Sequence, residues 1–360
     1  MMKKLSFYFL SVIIFLFLLL LIDFFISNTF IKYKNCIKYE EFFYELKKNC
    51  RSKYRFKKSF PIVEVITDEM GLRVGKKSLT KKNDKKNIFI FGDSFTYGVG
   101  IEYEKTFVGL LEKDLSLYNI YNFAVSSYSP SVYLFQLEQS LKKNIIPEKI
   151  LIFLDLTDLL DEATRWDYNE TGNIKLQDNL LYKSSKKRER FLKKNFKMLN
   201  NISSYINYFL RDIRERANIK LNNKRKIKTS IQGSFTYTDI NFLDKRYWEK
   251  ENFLLGEKIL KKRLSQISNI AKRNNIEFYL IIYPWAETLE FGQKTFNWSE
   301  YAKSICSNNN CKLIDAIPDF LKYKNDNFDW SRELYFLNDE HFNEKGAYLL
   351  YSSVIKNLKQ

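Results

Sequence analysis

The chain has 360 residues, 45% of them hydrophobic and 17% aromatic, with only 11 Gly and 5 Pro. That excludes a collagen-like or wholly disordered polymer and suffices for one large domain, or for a domain carrying an insertion. The formal net charge is +18 and there is one histidine, His341, so a metal site needing two imidazoles is excluded and any histidine base must be His341.

The charge is unevenly placed. Residues 1–86 hold 19 Lys/Arg against 8 Asp/Glu, a net +11, residues 181–230 hold 16 against 3, a net +13, and the remainder is −6. A nucleic-acid enzyme sets its basic residues around its chemistry. Zinc-finger spacing, RRM-like signatures and a Gly-rich phosphate loop are absent from the sequence, so nucleic acid is not an expected partner.

In chain order, two lysines precede LSFYFLSVIIFLFLLLLI, eighteen charge-free residues from Leu5 to Ile22. That run can span a bilayer, and no small-residue cleavage site follows, so residues 1–31 read as an uncleaved transmembrane signal anchor. Lysines flank the run on both sides and leave its orientation open. Residues 32–86 are polar and basic and read as a stalk and entry segment, with a short strand pair within PIVEVITDEMGLRV, residues 61–74. Cys36 and Cys50, and Cys306 and Cys311, form two sequence-local pairs. These are either disulfides of an oxidising compartment or four buried thiols.

From residue 87 onward five short apolar runs alternate with helical patterns: NIFIFG (87–92), YNIYNFAV (118–125), KILIFLDL (149–156), IEFYLIIYP (276–284) and CKLIDA (311–316). This predicts an α/β domain over 87–360, with a parallel sheet buried on both faces. The third and fourth runs are too far apart for one crossover, so an insertion is expected at about 165–248. Within it Phe191, Met198, Ile202, Tyr205, Phe209 and Ile213 recur near helical spacing among Lys and Arg. Such a helix either packs on the domain or lies on anionic lipid or a partner. The NKRKIK run (223–228) reads as a loop.

The first run ends in Gly92-Asp93-Ser94, which places Ser94 at the carboxyl end of a buried strand and the start of a helix, where ligands bind in open α/β sheets. A serine there is either a cap or a nucleophile whose oxyanion faces backbone N–H groups. The C-terminal NDEHFNEKG supplies Asp339 and His341 two residues apart, a base with an orienting carboxylate. Asp155, Asp158, Asp161 and Glu162 cluster after the third run, without a histidine, and read as a hydrogen-bonded loop rim rather than a metal site.

Taken in order, TDEMGLR, GDSFTYG, NFAVSSYSP, FLDLTDLLDE, IIYPWAE and NDEHFNEKG resemble the GDSL/SGNH hydrolase superfamily, and more narrowly its membrane-tethered members associated with glycan O-acylation. The resemblance implies a three-layer α/β/α sandwich with a five-stranded parallel sheet. It also implies Ser94 as nucleophile, His341 as general base then acid, and Asp339 as its orienting carboxylate. Ser94, Ser127 and Thr157 would form the oxyanion hole, Ser127 standing where the family has Gly and Thr157 where it has Asn. Asp158 and Trp285 are candidate substrate-binding residues, Trp285 either stacking on a sugar or covering the sheet.

The expected activity is serine-dependent ester hydrolysis or acyl transfer on a cell-envelope or secreted glycan, without a cofactor. The alternative is a catalytically silent, membrane-anchored envelope protein that binds glycan or a partner in the same cleft. Expected partners are an acyl ester or glycan, the membrane through the N-terminal helix, and anionic lipid or a membrane acyl-donor protein. The catalytic domain would be extracytoplasmic, periplasmic in a Gram-negative cell.

Overall fold

The computed structural model describes residues 2–29, 36–39, 43–57, 60–76, 84–169, 171–177 and 250–359, with Asn195, Phe196, Leu199, Ile202, Ile206, Leu210, Ile213, Thr236 and Tyr237. The chain divides into two compact units: residues 1–35 with 178–224, and residues 36–177 with 225–360.

In the first unit, helix α1 runs over Met2–Thr29, and its described apolar side chains are exposed except Ile26, which is half-buried. Asp23 is the buried exception, its Oδ2 accepting the Leu199 N–H at 2.9 Å while the Phe24 and Phe196 rings meet at 5.9 Å. No helix among the described residues is long and apolar enough to cross a membrane. The described side chains of α1 run unbroken only over Leu10–Ile26, whereas the charge-free run is Leu5–Ile22. The transmembrane anchor therefore does not enter the fold as observed. Of the amphipathic stripe expected in the insertion, Ile202 and Ile213 are helical and exposed; Phe191, Met198, Tyr205, Phe209 and the 223–228 run lie outside the described residues.

The second unit is built on the five expected strands, β6 Lys86–Phe91, β7 Tyr118–Asn122, β8 Lys149–Leu154, β11 Glu277–Ile282 and β12 Lys312–Asp315. They form one parallel sheet in the order β12-β11-β8-β6-β7. Ile88–Phe91, Ile150–Leu154 and Leu280–Ile282 are fully buried, each such side chain contributing about 1.5–3 kcal/mol. Helices Phe107–Asp114 and Glu344–Leu358 pack together, while Pro130–Lys142, Asp158–Thr164, Lys250–Arg273 and Trp298–Asn309 form a second group. Right-handed crossovers put the two groups on opposite faces, giving three layers. In Lys250–Arg273 the apolar residues Phe253, Leu260, Leu264, Ile267 and Ile270 fall on the buried stripe, which explains how a helix so rich in Lys packs on the core. The direction of chain progression reverses between β6 and β8, so their carboxyl ends open the crevice where open α/β sheets bind ligands.

The segment read as a stalk is, from Cys36 on, part of this unit. Its strands are β1 Ile37–Tyr39 paired with β2 Tyr44–Leu46, and β3 Arg51–Tyr54, β4 Val63–Thr67 and β5 Arg73–Val74 in an antiparallel sheet. Leu46, Phe60, Val65 and Leu72 bury their side chains, which a solvated stalk would not do. Arg73 is fully buried, its guanidinium donating to the Tyr97, Gly98 and Ile101 carbonyls. Disulfides join Cys36 to Cys50 and Cys306 to Cys311. The beginning of the expected insertion also belongs to this unit: β9 Trp166–Tyr168 pairs with β10 Ile174–Leu176.

Candidate active site

Ser94 begins a single helical turn, Ser94–Tyr97, directly after β6. Asp93 caps it, its Oδ1 accepting the Phe95 N–H at 2.9 Å. Gly92 is required just before: a Cβ there would lie 2.0 Å from Thr96 Oγ1 and 2.5 Å from Thr96 Cβ, both within the turn that presents Ser94. The opposing loop is held by the Tyr335–Phe342 bridge and by Phe336 N–H donating to the His341 carbonyl at 2.9 Å. Asn343 then caps the Glu344–Leu358 helix through the Lys345 and Gly346 N–H groups, so His341 is fixed two residues ahead of the helix cap.

Residues 247 apart in sequence meet there. His341 Nε2 lies 2.7 Å from Ser94 Oγ, and His341 Nδ1 lies 2.5 Å from Asp339 Oδ1, which also accepts the His341 N–H at 3.1 Å. The carboxylate thus orients the ring at two points and selects the tautomer whose Nε2 can accept the serine proton. Burial alone would raise the Asp339 carboxyl, but hydrogen bonds and charge from His341 and Lys57 outweigh it and hold the acid below the ordinary carboxylate range.

Beneath Ser94 is a buried carboxylate layer. Burial first, then the Asp155 charge, pushes the Asp93 carboxyl well above its ordinary value, against hydrogen bonds from Phe95 N–H and Ser94. Asp93 Oδ2 lies 3.2 Å from Ser94 Oγ. A serine hydroxyl has one proton to give, and the shorter contact, 2.7 Å to His341 Nε2, is the one placed to take it.

The other expected site residues are placed differently. Thr157 spends both donors inward, its hydroxyl at 2.6 Å and its N–H at 2.8 Å from Asp155 Oδ1, so the hydroxyl is not turned to an oxyanion. Asp158 is fully buried and accepts the Asp155 N–H at 3.1 Å; it is a loop brace, not a substrate contact. Trp285 is only 3% exposed, its indole N–H donating to Asp155 Oδ2 at 2.8 Å, so it covers the sheet instead of offering a face to a sugar. Glu162 accepts from Ser129 and Ser131 and Asp161 pairs with Arg165, so these acids brace the rim. Ser127 adopts φ 61°, the left-handed conformation that Gly takes freely, so the turn survives the missing Gly. That turn is fixed by Tyr44, whose hydroxyl donates to the Ser126 carbonyl, and by the Trp166 indole donating to the Ser127 carbonyl.

Sequence reading missed Lys57. Its ammonium contacts Asp339 Oδ2 and lies 3.6 Å from Glu340 Oε1, while the Phe56 and Phe60 rings stand 5.7 and 6.2 Å from the His341 ring. The aromatic spacing of Tyr54, Phe56 and Phe60 within a basic run was the one local signal that this stretch is packed. A small, partly open pocket beside Ser94 and His341 is walled by Val99, Ile101, Phe107 and Phe342.

Fold and site together define an α/β/α protein with a serine–histidine–aspartate triad at the switch point of its sheet. No protein-family profile matches the chain, and no curated protein matches it. Solved structures do resemble it. A member of the lipolytic protein G-D-S-L family from Veillonella parvula DSM 2008 is 11% identical with a TM-score of 0.42, covering 76% of this chain and 99% of its own. The acetyl xylan esterase AlAXEase is 15% identical with the same TM-score, covering 76% and 99%. A catalytic mutant of Axe2, an acetylxylan esterase from Geobacillus stearothermophilus, is 12% identical with a TM-score of 0.41, covering 78% and 97%. The first of these carries the G-D-S-L family name; for this chain the weight lies on its own sheet order and on the Ser94–His341–Asp339 hydrogen bonds.

Proposed function

We propose that the protein is a serine-dependent esterase of the GDSL/SGNH type, acting on acyl esters of a carbohydrate at the cell envelope. The observation that carries this reading is the unbroken hydrogen-bond chain from Ser94 Oγ through His341 to Asp339. In the proposed cycle Ser94 Oγ attacks the ester carbonyl as His341 Nε2 takes its proton, and the Ser94 backbone N–H faces the oxyanion. His341 then returns the proton to the departing alkoxide. The acyl-serine is released to water, or to a sugar hydroxyl in an acyl transfer. The envelope setting rests on the charge-free run Leu5–Ile22, expected from sequence to act as a membrane anchor, and on both cysteine pairs being joined, as suits an oxidising, extracytoplasmic compartment.

Hydrolysis of aryl acetates by the full chain, with and without an oligosaccharide acceptor, tests this. Acetate release that disappears in Ser94→Ala supports the reading, and acylated oligosaccharide would select transfer over hydrolysis. The inward-turned Thr157 hydroxyl favours the second reading, a silent binding protein in which one oxyanion donor has been lost. Glycan binding without any acyl-ester turnover would select it.

A further inference from the structure

Resting on the proposed role of Ser94 and His341, we propose that Lys57 is a positioning residue of the triad: its ammonium occupies the outer oxygen of Asp339 and so reserves the inner oxygen for His341. The two Asp339 oxygens have separate duties. Oδ1 receives both the ring Nδ1 and the backbone N–H of His341, and Oδ2 receives Lys57. An exposed ion pair contributes about 0–1 kcal/mol, but this one has its acid almost wholly inside: the Asp339 side chain is 1% exposed and that of Lys57 40%. A buried carboxylate with one oxygen unserved can rotate about its Cβ–Cγ bond or take up a proton; a cation at the outer oxygen opposes both.

Lys57 is itself held in place. Its ammonium stands 5.7 Å from the Phe56 ring centre and 5.9 Å from that of Phe60, and 3.6 Å from Glu340 Oε1. The same two rings border His341, so one short stretch following β3 supplies both the cation behind the acid and an apolar wall beside the base. The groups facing His341 are thus Asp339 at 2.5 Å and Glu340 at 3.8 Å from Nδ1, Ser94 at Nε2 with Asp93 behind it, and the Phe56, Phe60 and Phe95 rings, with Lys57 reaching it through Asp339. Lys57 is the cation in this set, and its removal takes the ammonium away from the Asp339 and Glu340 carboxylates beside the ring.

His341 is the only histidine, so its ring signals can be followed by NMR in the full-length protein labelled with ring-¹⁵N histidine, independently of turnover. In Lys57→Gln the midpoint of the His341 titration should move to higher pH by about 0.5–1 unit, since losing a nearby positive charge favours the imidazolium. Lys57→Arg, which keeps the charge, should titrate like the wild type. Where turnover is measured, the acidic limb of kcat/KM should move with the titration in Lys57→Gln, with kcat reduced several-fold and KM little changed. A His341 titration identical in wild type and Lys57→Gln overturns the proposal, whatever the activity; so does a Lys57→Arg curve that shifts as far as Lys57→Gln. Failure of the esterase reading appears separately, as wild-type protein that titrates as described yet turns over no ester.

Discussion

At the scale of single residues, the site separates carboxylates with opposite tasks. Asp339 is ionised because His341 and Lys57 compensate it; Asp93 and Asp158 are buried among other acids, and burial pushes both well above the ordinary value. The pH consequences therefore have opposite signs. Asp339, lowered in the folded chain, contributes stability that is present above the unfolded carboxylate range and lost as pH falls below about 4. Asp158, raised in the folded chain, favours the fold at low pH, and that contribution is lost as pH rises above about 4 towards its raised folded value. Asp158→Asn should therefore be as stable as the wild type or more so at pH 8, and should flatten the rise in stability towards pH 5; urea unfolding at the two pH values reads this. Because Asp158 braces a loop, KM for an aryl acetate should be unchanged in the same variant, and a several-fold rise in KM would restore it to a substrate-binding role.

At the scale of elements, the five strands were legible because each is a continuous apolar run bounded by polar residues, and Ser94 and His341 because a strand-end G-D-S and a lone histidine beside an acid are local patterns. Lys57 was not legible: its partner is 282 residues away, and within RSKYRFKK a buried-acid cation looks like any solvated lysine. Thr157 was located at the correct sheet edge but assigned the wrong direction, and for Asp158 and Trp285 the sequence left a substrate contact open beside the structural role they take, since position along a strand does not say whether a side chain at its end turns outward or under the loop. Within residues 36–76 the strand pair in 61–74 was legible, and the rest was misread as a stalk for a related reason. Its net charge resembles a stalk, yet its apolar residues build two small sheets: β1–β2 fixes the Ser127 turn through Tyr44, and the sheet that begins with β3 fixes the triad through Lys57. Replacing Cys36 and Cys50 by Ser opens a loop with a sequence separation of 14 at the base of that sheet, and should cost about 3 kcal/mol in urea unfolding. If the pocket walled by Val99, Ile101 and Phe107 receives the acyl group in the proposed reaction, its small size sets the acyl length. Acetate esters should be turned over at least about tenfold faster than octanoate esters, and Ile101→Ala should narrow that ratio, as measured with a series of aryl esters.

At the scale of the molecule, the +18 charge does not describe the site. The +11 and +13 stretches include the apolar helix and the insertion, while the remainder is −6 and holds Ser94, Asp339 and His341. Lys57 is the exception, a member of the basic N-terminal stretch used inside the site. If the basic stretches face anionic lipid as proposed, full-length protein should float with vesicles containing phosphatidylglycerol, and a chain beginning at residue 33 should float less and lose more of its binding in salt. The central claim, that Ser94 is a nucleophile activated by His341 and Asp339, is tested most directly by a fluorophosphonate probe with the adduct mapped by mass spectrometry. The expected result is a single adduct on Ser94, absent in Ser94→Ala, formed about 10²–10⁴-fold more slowly in His341→Ala and slowing in the wild type as low pH protonates the base. No adduct on Ser94, or labelling that proceeds equally well without His341, would contradict it.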